Sequence, residues 1–153
     1  MTISEYEAQY PLHDGDPSLI VKRVTKGEEV HTYTINKAGQ LHGIYRIYIH
    51  DNLLSECNYE HGLKHGSYMV WNNSNGVLTV DANYHHGLLH GTYKEYDTKY
   101  ITTDVDAETV QYFLKVHCTY YMNRLHGPCI IRNVHNGKQR IRYYHYGQLC
   151  VYR

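Results

Sequence analysis

Histidine is the side chain best able to do chemistry in this sequence, and four of its 13 copies recur in one context. His42, His65, His90 and His126 each precede a glycine (Gly43, Gly66, Gly91 and Gly127), at spacings of 23, 25 and 36 residues. Imidazole is the commonest metal ligand and the usual proton shuttle near neutral pH. A register of histidines therefore raises the question of a metal centre. Geometry argues against one inside the register. If each copy contributes two strands, equivalent residues lie about 10 Å apart, whereas zinc ligands lie about 2 Å from the ion. The adjacent pair His85–His86 falls on a strand or turn, where neighbouring side chains diverge. It is not expected to chelate. The expected role of the register is structural, with each imidazole bonding the turn or packing on a neighbouring tyrosine. No metal and no cofactor are expected.

The other reactive residue types point the same way. Cys57, Cys118, Cys129 and Cys150 form no Cys-x-x-Cys pair. They are expected to be reduced thiols acting as small apolar fillers. Asp104, Asp106 and Glu108 are close in sequence but lie in a polar insert. No nucleophile elbow, phosphate loop or His-Glu-x-x-His is present. No enzymatic activity is expected.

The elements that carry these residues are repeated. The stretch "YEHGLKHGSY" (59–68) returns as "YHHGLLHGTY" (84–93). Aligning on Gly-x-x-His-Gly gives five registers. The first has Gly39, His42, Gly43 and Tyr45; the second Tyr59, Gly62, His65, Gly66 and Tyr68; the third Tyr84, Gly87, His90, Gly91 and Tyr93. The fourth keeps Tyr120, His126 and Gly127 but has Asn123 in the first glycine slot. The fifth keeps Tyr144 and Gly147, with Cys150 and Val151 in place of His-Gly. Asn is the non-glycine residue that best tolerates positive φ, so this slot is expected to need left-handed backbone in a tight turn.

Between motifs the pattern reads strand, turn, strand. "VLTVDANY" alternates Leu78, Val80, Ala82 and Tyr84 onto one face, and "HNG" supplies a hairpin turn before "KQRIRYY". Each copy is thus one β-hairpin, 23 residues from His42 to His65, and the motif links it to the next. No segment shows a convincing helical period. An insert near 97–111 reads as a longer hairpin tip with a helical turn at "DAET". The expected fold is all-β, an elongated, twisted antiparallel sheet of stacked hairpins forming one domain over 1–153. Residues 1–28 would be an N-terminal cap and degenerate hairpin, and 29–153 would hold about five repeats.

Over roughly residues 30–153, these motifs resemble the MORN repeat, in the variant with Tyr-x-x-Gly-x-x-x-Gly-x-Tyr units. The resemblance implies a stand-alone array of hairpins. It also implies scaffold, membrane-association or partner-binding roles, commonly without catalysis.

Tyrosine is the compositional outlier, with 18 copies against one Phe and one Trp. It suits a pleated, half-wet surface. Tyr45, Tyr68 and Tyr93 share one column, and Tyr48, Trp71 and Tyr96 another. These six are candidate partner-binding residues, weighed against the alternative that they form the core.

Net charge is formally zero but unevenly spread. Residues 1–108 hold all 15 acids against 8 Lys and Arg, whereas 109–153 hold 7 Lys and Arg and no acid. The expected function is a non-catalytic scaffold for protein–protein interaction, including self-association. The alternative is association with acidic phospholipid head groups through Arg132, Lys138, Arg140 and Arg142; nucleic acid is the weaker anionic partner. No apolar run approaches a membrane span and the start lacks a leader pattern. The expected location is intracellular and cytoplasmic, peripheral to membranes under the alternative. The N-terminal segment with Pro11 and Pro17 is expected to cap one sheet end. The other, with Leu149, Cys150, Val151 and Tyr152, is expected to be buried in a homodimer.

Overall fold

The computed structural model describes residues 1–102 and 108–151, and side chains within those ranges outside 99–110. One helix, α1 (Ile3–Gln9), precedes eleven strands: β1 (Ile20–Lys26), β2 (Glu29–Ile35), β3 (Leu41–Ile49), β4 (Asn52–Glu60), β5 (Leu63–Trp71), β6 (Leu78–His85), β7 (Leu88–Thr102), β8 (Glu108–Tyr121), β9 (Arg124–Arg132), β10 (Gln139–His145) and β11 (Gln148–Leu149). They form one antiparallel sheet in chain order, the hairpin array that the repeat predicts.

The motif does two jobs in the ladder. Its first half is a two-residue turn whose two residues both have positive φ: His61–Gly62, His86–Gly87, Met122–Asn123 and Tyr146–Gly147. That is the turn whose twist matches flanking strands. Asn123, at φ 65, occupies the left-handed slot as its type predicts. The second half is a bulge. Around His42–Gly43, His65–Gly66, His90–Gly91 and His126–Gly127 the register shifts between β2 and β3, β4 and β5, β6 and β7, and β8 and β9. Bulges raise local twist and re-aim side chains. The second glycine of each copy pairs with the next copy's motif tyrosine: Gly43 with Tyr59, Gly66 with Tyr84, Gly91 with Tyr120, Gly127 with Tyr144.

The core of this single-layer sheet lies on one face. Cross-strand register places Tyr33, Tyr45, Cys57, Tyr68, Ala82, Tyr93, Cys118 and Cys129 in one row. Large and small side chains alternate through most of it. Cys57, Ala82, Cys118 and Cys129 are buried, and tyrosine rings from neighbouring strands close over them. Tyr45 meets Tyr59, Tyr68 meets Tyr84 and Tyr93 meets Tyr120, at ring-centroid distances of 5.8, 5.8 and 5.7 Å. Such separations suit tilted and edge-to-face pairs.

The opposite face is polar. Its central row runs Thr32, Arg46, Glu56, Met69, Asp81, Lys94, His117, Ile130, Ile141. Helix α1 covers only its N-terminal end, where Tyr6 packs on Tyr48 and Glu7 accepts the Thr32 hydroxyl proton. There Arg46 is buried, bonding Glu56 through Nε at 2.7 Å and the Tyr10 carbonyl through Nη1.

Several expectations are corrected. A helix exists, started by Thr2 and Glu5 in a capping box. The N-terminal segment lies on a face and leaves the edge strand β1 exposed throughout. Cys118 and Cys129 are not separate thiols; they pair across β8 and β9 as a disulfide. The insert is a long hairpin, β7–β8, as expected. Of the helical turn expected at 106–109, Glu108 and Thr109 are strand, while Asp104, Asp106 and Ala107 lie outside the described residues.

Candidate interaction surfaces and the histidine ridge

The two tyrosine columns separate onto different faces. Tyr45, Tyr68 and Tyr93 belong to the aromatic face. Burial pushes their hydroxyls above the ordinary tyrosine value, and Tyr93 moves further because it donates to Glu95 Oε1 at 2.6 Å. Tyr59 is pushed up to about 12, chiefly by burial. Lys64 Nζ stands 4.2 Å from the Tyr68 ring centre and 5.0 Å from that of Tyr84, a cation laid over the column. Tyr48, Trp71 and Tyr96 belong to the polar face. Tyr48 is corrected as a partner-binding candidate: it is 1% exposed, sealed beneath α1. Trp71 and Tyr96 remain half-exposed.

The motif turns stack along one edge of the sheet. Gly62, Gly87, Asn123 and Gly147 each donate their N–H to a carbonyl in the preceding copy: Leu41, Lys64, Leu89 and Leu125, at 2.8 Å in every case. The motif histidines reinforce this. His42, His65 and His126 Nδ1 accept from the N–H of His61, His86 and Tyr146 over 3.4 to 3.5 Å. His90 Nδ1 is buried without a partner among the described residues. In that copy Asn123 supplies its own side-chain bond, from Leu89 N. Three of the four motif histidines thus accept a bond from the following turn, and His90 does not.

Stacking brings rings of different registers together. His42 meets His61; His65 meets His85 and His86; His85 meets His90; His126 meets His145 and Tyr146, with centroids 4.6 to 5.5 Å apart. The expectation that His85 and His86 diverge is corrected. Their rings lie 4.3 Å apart, because His86 has φ 45 and strand alternation stops there. Partial desolvation, followed by the charges of His86, His65 and His90, holds His85 below the ordinary imidazole value.

At the C-terminal end, Ile131, Arg132, Asn133, Asn136, Lys138 and Arg140 line a concavity of about 450 Å³. Arg142 lies in the aromatic-face row opposite Cys129. Leu149 and Val151 are exposed, as is Cys150, while Tyr152 lies outside the described residues. Among the described residues no helix is long and apolar enough to cross a membrane.

No protein family, no curated protein and no solved structure matches the chain.

Proposed function

We propose that the chain is a non-catalytic scaffold that binds protein, including a second copy of itself, through the C-terminal end of its polar face. The observation that carries this reading is a change along one row. Charged and polar side chains fill its middle, Arg46 pairing with Glu56 and Lys94 facing Asp81. The row then ends in Ile130 and Ile141, with Ile141 47% exposed and Tyr143 beside it 46% exposed. At the other end of the same face, α1 covers the corresponding strands. Leu149 pairs with Tyr144 and so lies on the aromatic face, outside this surface.

The contact is face to face rather than edge to edge. Edge strand β1 carries Lys22, Arg23 and Lys26, and the open stretch of β10 carries Arg140 and Arg142. Antiparallel self-pairing of β10 about Ile141 would set Arg140 against Arg142, and like charges directly opposite are destabilising. Cationic edges are a known device against ladder extension. A two-fold contact on the face closes and stops at a dimer.

Light scattering on the intact chain and on Ile141→Glu tests this reading. The expected result is a dimer for the first and a folded monomer for the second. A monomeric intact chain at tens of micromolar, or a dimer in both, refutes it.

A second reading has its own observation. Arg132, Lys138 and Arg140 share one concavity, and the sequence has no acid after Glu108 to neutralise them. This surface suits acidic lipid head groups. Pelleting with vesicles that contain acidic lipid, and not with neutral ones, supports it; Arg140→Ala with Arg142→Ala then abolishes the pelleting.

A further inference from the structure

Three imidazoles and a carboxylate meet at the turn between β6 and β7. His65 stands in the bulge of β5, His85 ends β6, and His86 is the first residue of the turn. One ligand nitrogen from each of the three lies within 4.8 Å of the other two. Glu60 Oε2 lies 3.3 Å from His65 Nδ1.

We propose that His65, His85 and His86 bind one late first-row divalent cation, zinc or copper. Imidazole suits both ions, and a three-histidine set is an established zinc donor set. Nitrogens held about 2.0–2.1 Å from one tetrahedral ion are about 3.4 Å apart. The rings must therefore close by about 1.5 Å, a movement within reach of side-chain rotation. His85 and His86 are exposed, so no packing opposes it.

The backbone beneath them is set. Gly87 N donates to Lys64 O at 2.8 Å, which pins the turn against the strand that carries His65. The positive φ of His86 points two sequence neighbours toward one place. Glu60 can orient His65 as a ligand when Nδ1 carries the proton and donates to the carboxylate, which gives up the Nδ1 bond from His86 N–H and leaves Nε2 for the ion. Access is open, because His65 and Glu60 also border a cleft of about 550 Å³ under the segment containing Leu12, His13 and Asp14.

The other motif turns lack the set. His42 meets His61 across the second copy's turn, His90 faces Tyr121 at the fourth, and His126 meets His145 and Tyr146 at the fifth. The repeat thus builds the same frame several times and fills it with three imidazoles at the third copy. Equivalent histidines of one register lie too far apart to share an ion; this cluster draws its nitrogens from different positions of two adjacent copies. It does not depend on the scaffold reading.

Calorimetric titration of Zn²⁺ alone into the tag-free, full-length chain tests the site, with circular dichroism confirming that each variant folds. The expected result is one ion per chain. His86→Asn, which tolerates the left-handed backbone, and His85→Gln should each weaken binding by at least about tenfold. His145→Gln, in the two-imidazole turn, should bind as the parent does. An intact chain that takes up no zinc overturns the proposal, and so does zinc uptake unchanged in both His86→Asn and His85→Gln.

Discussion

Asn123 and Leu89 are bonded twice. Asn123 N donates to Leu89 O at 2.8 Å, and Asn123 Oδ1 accepts from Leu89 N at 2.7 Å. Gly62, Gly87 and Gly147 make only the first of these bonds from the same slot, because they have no side chain to make the second. Asparagine therefore adds a bond and tolerates φ 65. Asn123→Ala removes the acceptor and places a Cβ in left-handed backbone, so it should cost about 2–3 kcal/mol. Asn123→Gly should cost only about 1 kcal/mol, because glycine relieves the backbone while losing the same bond. Urea midpoints of the two variants check the order; coincident midpoints would show that backbone strain is not what asparagine relieves here.

Ala82 is fully buried between Tyr68 and Tyr93 in the aromatic-face row. It is the smallest member of the row, where Cys57 and Cys118 fill equivalent places. A larger side chain would lift the rings that close over it. Ala82→Leu should destabilise the chain by about 1–3 kcal/mol. Ala82→Cys restores the residue type found in the neighbouring copies and should stay within about 1 kcal/mol of the parent. Thermal unfolding of both separates packing from any general intolerance of the site.

The tyrosine columns make stability depend on alkaline pH. Burial, reinforced by Cys57, Tyr45, Tyr68 and Tyr84, pushes Tyr59 up to about 12. Burial also raises Tyr45, Tyr68, Tyr84, Tyr93 and Tyr120. A free tyrosine titrates near about 10. Below that value both states keep the proton and stability is complete. Above it the unfolded chain ionises while the folded chain holds its protons, so stability falls as pH rises toward about 12. Urea midpoints should drop steadily above pH of about 10. Midpoints flat through that range would refute the buried columns.

The hairpin array was legible because tight turns have residue signatures. Glycine at 62, 87 and 147 and asparagine at 123 mark positive φ, and strand alternation between them is short and regular. What the pattern could not carry was tertiary. Tyr48 occupies the same column as Trp71 and Tyr96, yet only Tyr48 lies beneath α1, and no repeat rule says where a seven-residue helix docks. The helix itself had one local signal, Thr2 three residues before Glu5, too short to show a period. Cys118 and Cys129 become opposite only once the bulge at His126–Gly127 shifts the register. His85 and His86 converge for a similar reason: the rule that neighbours diverge assumes extended backbone, and His86 is not extended.

The last turn offers a test of how far the repeat frame, rather than local accident, places the imidazoles. His126, His145 and Tyr146 stand where His65, His85 and His86 stand two array positions earlier. Their centroid distances are 5.3, 4.6 and 4.6 Å, against 5.0, 4.8 and 4.3 Å. Tyr146 has φ 46, matching His86 at φ 45, so the backbone already suits histidine. Gly147 pins this turn to Leu125 as Gly87 pins the other to Lys64. The difference lies beyond the triad: Tyr121 occupies the position of Glu60, so no carboxylate orients His126. Tyr146→His should therefore create a second zinc site, weaker than the first by about 10–100-fold for want of that carboxylate. Titration of the variant should show two ions per chain in two resolved steps, and adding His86→Asn should remove only the tighter one. A variant that still binds a single ion would mean that the turn frame alone does not bring the nitrogens within reach, and that Glu60 is part of what assembles the first site.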